Sequence, residues 1–326
     1  DQGYDVCIVD ANQIGSGASG RNGGQLGIGM RKDQLYLENK FGFEKAEFFW
    51  NIGLDAVKNV TNLISKYNID CALKPGILHA GNTKKDYKYF LEEIEHMKSK
   101  YSYDNYEYFD ENSIKDEVNT DQYYSGLLTK DSFHLNPLKL TYGLANQCLN
   151  KGIKIFENSP IDKIEEKSDN ILLFSKNAVI KSKKVIVACN GYLDNLLGSV
   201  SNFFMPINNY IIATEPLGEK LARQIIKRNC GVVDSRFMID YYRFSEDHRL
   251  LFGGPETLTS KFVNNPVEFV SKRLFRVFPD LKNYKIDFSW GGTLAISVNR
   301  LPVFGTLMNN KLYYARAYSG HGLAMS

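Results

Sequence analysis

Apolar residues recur along this chain with two different periods, and the change of period separates helices from strands. Over residues 44–67, Phe48, Phe49, Ile52, Ala56, Val57, Val60, Leu63 and Ile64 return every three or four positions, which predicts one long helix with an apolar stripe. A charged stretch at 87–100 predicts a second helix. Asn136-Pro137 predicts a helix start, because Asn caps free amides and Pro suits the first turn. Leu138, Leu140, Leu144, Ala145 and Cys148 form the apolar face of that helix. Residues 266–278 predict another helix, and a short one is expected near 113–118 in the polar, tyrosine-rich loop 101–119. Apolar runs predict strands at 4–9, 77–80, 153–156, 161–167 and 171–175. The nearly continuous run at 184–188 predicts a buried strand of parallel type. Beyond residue 200 the runs at 210–214, 232–233, 241–244 and 250–254 have mixed or alternating faces, which predicts an antiparallel sheet, and 312–315 predicts one more buried strand.

Between the first strand and the first helix lies GSGASGRNGGQ, whose Gly15, Gly17 and Gly20 spell G-x-G-x-x-G. A dinucleotide fingerprint needs a strand before it, a helix opening at its last glycine, and an acid about 20 residues on, at the end of the next strand. The strand is there. The helix is not expected, because Gly23, Gly24, Gly27 and Gly29 follow, and each glycine disfavours a helix by about 1 kcal/mol relative to alanine. Asp33 and Glu38 lie in a polar stretch, not at a strand end. The frame that fits makes 4–9 the second strand of a Rossmann unit and Asp10 the acid at its carboxyl end, placed for ribose hydroxyls. The phosphate loop then falls about 20 residues upstream, before Asp1, and the chain reads as a fragment starting in the loop that leads into this strand. Ser16, Ser19, Arg21, Asn22 and Gln25 interleave donors among the glycines, so this backbone can approach a flat ligand closely.

Composition narrows the class. With 326 residues, 43% hydrophobic and 24% charged, the chain is long enough for one large or two intimate globular domains. Net charge is +3 and no basic cluster is interleaved with aromatics, so no nucleic-acid partner is expected. The five cysteines are irregularly spaced without C-x-x-C, which suits buried, reduced thiols in a cytoplasmic protein. Five scattered histidines without H-x-x-x-H give no metal constellation, and no G-x-S-x-G elbow points to a hydrolase. No apolar run approaches the roughly 18 residues of a membrane span.

The wording VDANQIGSGASGRNGGQ, Val9–Gln25, resembles the second-strand region of the D-amino-acid-oxidase-type (DAO family) FAD-dependent oxidoreductases, and within them the gamma-glutamylputrescine oxidoreductase branch. The likeness extends along the whole chain. It implies FAD and an α/β fold (α+β overall): a Rossmann-type FAD-binding domain over 1–75, 130–200 and 290–326, interleaved with a substrate-binding domain over 76–129 and 201–289 built on a mainly antiparallel sheet. Carried onto this sequence, it implies flavin-nucleotide contacts from Asp10 and Ala11 at the ribose. Ser16, Ala18, Ser19, Arg21, Asn22, Gly23, Gly24 and Gln25 would cross the pyrophosphate and flavin. Ile161 would pass the adenine, and Ala188, Asn190 and Gly191 would lie near the ADP half; there Cys189-Asn190-Gly191 departs from the family's frequent Thr-Gly. Arg300, in NRLPVFG, would sit beside the flavin. Gly320, His321, Gly322 and Leu323, in YSGHGLAMS, would cover its pyrimidine end, where free helix amides stabilise an anion by about 0.3–2 kcal/mol.

The activity implied is oxidation of a C–N bond of an amine or amino acid: hydride passes from the carbon beside the amine to flavin N5, and water hydrolyses the imine. Dioxygen or a quinone would be the electron acceptor. His321 is the candidate catalytic residue, or else a structural histidine. Tyr241, Tyr242, Arg243 and Trp290 are the candidate substrate pocket, with Arg243 able to pair a carboxylate, or else core tyrosines and an edge arginine. A D-amino-acid dehydrogenase or a glycine/sarcosine-type oxidase fits the same motifs. A nicotinamide-dependent dehydrogenase has no use for the donor-rich loop or the Y-S-G-H-G terminus, and a non-catalytic truncated Rossmann protein is the remaining alternative.

Overall fold

The computed structural model describes residues 3–193, 196–201, 204–258 and 261–326; the start of the chain at residues 1 and 2, and 202–203 at the expected boundary after 200, lie outside them. A nine-stranded sheet organises the molecule. Across it run Ile286–Ser297, Phe204–Thr214, Leu250–Thr257, Tyr241–Phe244, Gly231–Asp234, Lys74–Gly81, Ser125–His134 and Gln25–Leu26, with Tyr106–Phe109 also paired to Ser125–His134. The sheet is mixed: Gly231–Asp234 runs parallel to Lys74–Gly81 while the other pairings are antiparallel. This corrects the expected mainly antiparallel sheet. Gly231–Asp234 and Lys74–Gly81 come from separate parts of the chain, so no tight hairpin constrains their direction.

Ser125–His134, Ile286–Ser297, Val303–Leu307, Val179–Ser182 and Tyr106–Phe109 are strands that the apolar runs did not announce. Ser125–His134 buries both faces while carrying Thr129, Lys130, Asp131 and Ser132, and its polar residues hide it from a period count. The expected boundaries after residues 129 and 289 fall inside two of these strands.

Period two assigns the sheet's faces. Leu78, Ala80, Val232, Tyr242, Phe244, Leu250, Phe252, Tyr210 and Ile212 point to one side. There they pack under the helix Pro266–Val277, capped by Asn265 Oδ1, which accepts from Glu268 N at 3.1 Å. Burying such a face is the main driving force of the fold. The opposite face carries His79, Tyr241, Arg243, Asn209 and Trp290, and the glycine-rich loop lies on it. The long helix Phe43–Lys66 buries Ala46, Trp50, Gly53, Val57 and Ile64. Gly53 meets Gly29 so closely that a Cβ there would stand 2.5 Å from Gly29 Cα.

Two small sheets complete the frame. Cys7–Val9 pairs in parallel with Lys154–Phe156, and Val185–Val187 pairs in parallel with Leu312–Arg316, which also pairs with Val303–Leu307. Ile186, expected to be buried, is 75% exposed, because no described element covers its face of this short strand. A three-stranded antiparallel sheet joins Ile161–Glu166, Ile171–Ser175 and Val179–Ser182. The helix predicted at Asn136-Pro137 is Pro137–Asn150, and Asn136 Oδ1 accepts from Leu138 N and Lys139 N. Cys71 and Cys230 are buried, but Cys7 and Cys189 are exposed and Cys148 is half-buried, which corrects the expectation of five buried thiols; none of them forms a disulfide. No helix among the described residues is long and apolar enough to cross a membrane.

Candidate active site

The glycine loop is laid across the sheet by backbone contacts that side chains would block. After Gly17 the chain makes one helical turn, Ala18–Arg21, where no helix was expected. Gly20 sits inside that turn, and a Cβ there would stand 2.2 Å from Gly15 O and 2.8 Å from Leu138 Cδ1. Thus G-x-G-x-x-G here packs a single turn against its own backbone and the helix Pro137–Asn150. Asn22 closes the turn: its Nδ2 donates to Ala18 O at 3.0 Å and Ser19 O at 2.9 Å, and its Oδ1 accepts from Gly24 N at 2.8 Å.

From there the loop follows the sheet. Trp290 Nε1 donates to Arg21 O at 2.9 Å, while Arg21 donates from Nη1 to Gly291 O at 3.0 Å and from Nε to Ser16 O at 2.6 Å. A Cβ at Gly23 would stand 2.6 Å from the Tyr241 ring, and Arg243 Nε donates to Gly23 O at 2.7 Å. Gly24 adopts φ 73°, and a Cβ would lie 2.0 Å from Leu135 O, so only glycine fits. Gln25 Nε2 donates to Val232 O at 2.9 Å. Gly27 and Gly29 then meet His321, whose Nε2 lies 3.0 Å from Gly29 O.

The loop divides this sheet face in two. On one side is a groove of about 810 Å³ that includes Asn22, His134, Arg243, Glu246 and Trp290. On the other side Tyr241 donates its hydroxyl to Asn209 Oδ1, Asn209 pairs with Glu256, and His79 shares a register row with Val233 and Tyr241. His79 is exposed on this face. Burial lowers the pKa of His79 to about 4, with Arg31 and His321 adding to the effect. His321 is likewise lowered to about 4, chiefly by burial and against its bonds to Gly29 and Gly27. Both imidazoles are therefore neutral near pH 7.

Of the expected substrate residues, Tyr241, Arg243 and Trp290 are on this face. Tyr242 is not: alternation turns it into the core, where it stacks on Phe252 at 5.4 Å and donates to Tyr123 Oη at 2.9 Å. Arg243 is 5% exposed and already donates to Gly23 O and Phe244 O. Burial lowers its pKa to about 10. It braces the loop, and no carboxylate of the chain pairs with it among the described residues. His321, the candidate catalytic residue, wedges between Gly27 and Gly29 and ties the terminal loop to the glycine loop.

On the nucleotide side, Asp10 ends Cys7–Val9. Its amide donates to Phe156 O at 2.9 Å, its carbonyl accepts from Ser159 N at 2.9 Å, and its Oδ1 accepts from Asn12 N at 2.9 Å. Ala11 is exposed beside it. Ser159 leads through Pro160 into Ile161 at the start of its strand. Ala188 is exposed just past Val185–Val187, and Asn190 at φ 45° accepts from Ala317 N at 2.9 Å through Oδ1. Gly191 packs 3.0 Å from Leu294 backbone, measured from the position a Cβ would take. The 190–192 turn reaches the glycine loop through Tyr192, whose ring is 3.6 Å from that position at Gly17 and whose hydroxyl accepts from Thr293 N at 2.8 Å.

The DAO family description, FAD dependent oxidoreductase, matches residues 1–326. The chain belongs to this family. It is 35% identical over 322 residues to the gamma-glutamylputrescine oxidoreductase of Escherichia coli, covering 98% of this chain and 75% of that one. It is 33% identical over 330 residues to a probable oxidoreductase OrdL of Haemophilus influenzae, covering 100% and 75%. Among solved structures, glycine oxidase from Geobacillus kaustophilus superposes with TM-score 0.81 at 15% identity, over 98% of this chain and 84% of that one.

The cofactor of this family is FAD, and the residues present fit it. Asp10 keeps one carboxylate oxygen outside its turn, where a ribose hydroxyl could donate. The Gly23–Gly29 backbone offers a wall almost without side chains. The one-turn helix Gly322–Met325 opens beside it, and first-turn amides have no helical acceptor. Gly320 at φ 90° lets that terminal loop turn. Sequence reasoning missed His79, Asn209, Glu256 and Arg31. His79 alternates with Leu78 and Ala80 and was visible in principle. Glu256 was not, because a register shift between Asn209 and Ile211 moves it onto the site face.

Proposed function

We propose that this chain is an FAD-dependent oxidoreductase acting on a C–N bond of an amine or amino acid, with a gamma-glutamylputrescine-like substrate. The observation that carries this reading is the glycine-rich backbone laid on the sheet face of Tyr241, Arg243 and Trp290 and met by His321 of the terminal loop. The 35% identical gamma-glutamylputrescine oxidoreductase supports the substrate class. Asp10, Ala11, Ile161, Ala188, Asn190 and Gly191 are assigned to the nucleotide half of FAD. Ser16, Ala18, Ser19, Arg21, Asn22, Gly23, Gly24, Gln25, Arg300 and Gly320 to Leu323 are assigned to its pyrophosphate and flavin half. When bound, FAD supplies the two-electron acceptor.

The chain's own contribution is positioning and desolvation. Neutral His79 and His321 add no positive charge at the cleft wall. An amine entering so crowded a space is pushed toward its neutral form, the form from which hydride can leave. Tyr241, held by Asn209, offers a fixed aromatic surface to the substrate. The test is an anaerobic titration of the yellow protein with gamma-glutamylputrescine. Bleaching of the flavin band is expected, and admission of air then shows whether dioxygen restores it. A flavin band unchanged by this and other amines would overturn the reading.

A further inference from the structure

Arginine seldom enters a protein interior without a paired acid, yet Arg316 is 3% exposed. It ends the strand Leu312–Arg316, in period with Leu312, which is buried with Val187, Leu193, Leu197 and Val200. No carboxylate reaches its guanidinium among the described residues. Its partner is an aromatic ring: Cζ stands 3.5 Å from the centroid of Phe204, a cation–π contact that strengthens where water is excluded. Nη1 donates to Val200 O at 3.5 Å and Nη2 to Asn190 O at 3.3 Å. Nε has no acceptor among the described residues, and burial lowers the pKa of the group. The cavity beside it, lined by Val200, Phe204, Val303, Tyr314 and Ala317, measures about 10 Å³, room for about one water molecule. Arg316 therefore takes no outside ligand, and its charge acts on the fold.

Several segments of the chain meet at this side chain. Val200 and Phe204 lie where the chain passes into the large sheet, since Phe204 opens Phe204–Thr214. Arg316 itself passes into the terminal loop. The remaining segment is the turn Asn190–Tyr192, which Arg316 and Ala317 hold through two atoms of one residue. Arg316 donates to the Asn190 carbonyl, and the Ala317 amide donates to Asn190 Oδ1 at 2.9 Å. Asn190 at φ 45° and Ala317 at φ 59° are both left-handed, a conformation that asparagine tolerates and alanine disfavours, so contacts must hold it. From Asn190 the turn reaches outward. Tyr192 Oη accepts from Thr293 N at 2.8 Å, and its ring lies against Gly17. One buried cation thus sets a turn that touches both the nucleotide side and the glycine loop.

We propose that Arg316 is a positioning residue for the cofactor: it holds Asn190–Tyr192 so that the backbone meeting the ADP half of FAD keeps its place relative to the glycine loop. This rests on the proposed assignment of Asn190 and Gly191 to that half, and part of the test needs no cofactor. Hydrogen exchange in the full chain reads the turn directly. In Arg316→Met the amides of Ala317 and Thr293, whose acceptors belong to Asn190 and Tyr192, exchange about tenfold faster than in the parent. The ladder between Leu312–Arg316 and Val303–Leu307 exchanges as before. Calorimetry with ADP and fluorescence titration with FAD then read the site: both bind about tenfold more weakly, the size of one charge-assisted hydrogen bond. Arg316→Lys, which keeps the charge, recovers part of both protection and affinity. Phe204→Leu, which removes the ring and keeps the guanidinium, moves the same amides and affinities in the same direction, so the test stands even where Arg316→Met does not fold. Ala317 and Thr293 amides protected as in the parent, or faster exchange spread evenly over the ladder, overturns the role. Faster exchange at the two amides with ADP and FAD bound as in the parent also overturns it, because the turn is then held for the fold alone. A parent protein that binds no FAD overturns the proposed function itself.

Discussion

Arg243 donates from Nε to the carbonyl of Gly23 at 2.7 Å, and through this bond the sheet face holds the glycine loop in place. The guanidinium is buried and has no carboxylate partner among the described residues. Its work is done on a backbone oxygen, and charge-assisted bonds of this kind are the stronger ones.

Arg243→Met should therefore weaken the loop more than the substrate site. Losing the bond and exposing Gly23 O to a partnerless environment costs about 1.5–3 kcal/mol. The expected result is a melting temperature lower by several degrees and faster release of flavin, read by its fluorescence on heating. A variant that melts and holds flavin like the parent would show that the bond to Gly23 O does not brace the loop.

Much of this fold was legible because period and punctuation agreed. The long helix, predicted at 44–67, is Phe43–Lys66, and Tyr241–Phe244 and Ile171–Ser175 fall where their apolar runs lie. Asn136-Pro137 was read from cap chemistry alone. The site was legible only where wording was distinctive, as in ASGRNGGQ. Tyr242 was misplaced because the run Tyr241-Tyr242-Arg243 does not reveal which residue faces the core; the neighbouring strands settle that. The packing of Met30 with Leu301 was hidden, since nothing local shows that the two share a cluster.

Gly53 offers a test in which the usual sign reverses. Glycine in a helix interior is about 1 kcal/mol worse than alanine, so Gly53→Ala would ordinarily stabilise. Here the added Cβ would stand 2.5 Å from Gly29 Cα and 2.7 Å from Gly29 N, against backbone that cannot rotate away. Overpacking of this kind costs about 1–3 kcal/mol. Urea denaturation should show net destabilisation, together with weaker FAD binding, because Gly29 also holds His321. A stabilised variant would mean that the helix and loop are not pressed together.

His134 predicts an acid limb of stability. It is buried, its Nε2 lies 2.6 Å from Asn229 O, and its Nδ1 has no partner. Burial lowers its pKa to about 4, whereas an unfolded histidine titrates near 6.5. Between those values the unfolded chain binds the extra proton, so stability is full above about pH 6.5 and falls as pH drops toward 4. The loss from this residue is on the order of 3 kcal/mol. His134→Gln should flatten the dependence of unfolding free energy on pH in that window, even if it lowers stability near pH 7. An equally steep limb in the variant would assign the effect elsewhere.

Asp10 separates a structural role from a ligand-binding one. Its Oδ1 accepts from Asn12 N at 2.9 Å, and an asparagine oxygen can accept the same bond. Asp10→Asn therefore keeps the turn and removes only the charge, whereas Asp10→Ala removes both. If Asp10 serves the ribose, charge-assisted bonding is lost in both variants, and charged bonds are about twice as strong as neutral ones. Asp10→Asn should then bind FAD several-fold to tenfold more weakly with an unchanged melt of the apoprotein, and Asp10→Ala more weakly still with a lower melt. Fluorescence titration of apoprotein with FAD gives the first quantity and thermal unfolding the second. Asp10→Asn binding FAD as tightly as the parent would reduce Asp10 to a turn residue and leave the nucleotide half to the Gly15–Gln25 loop.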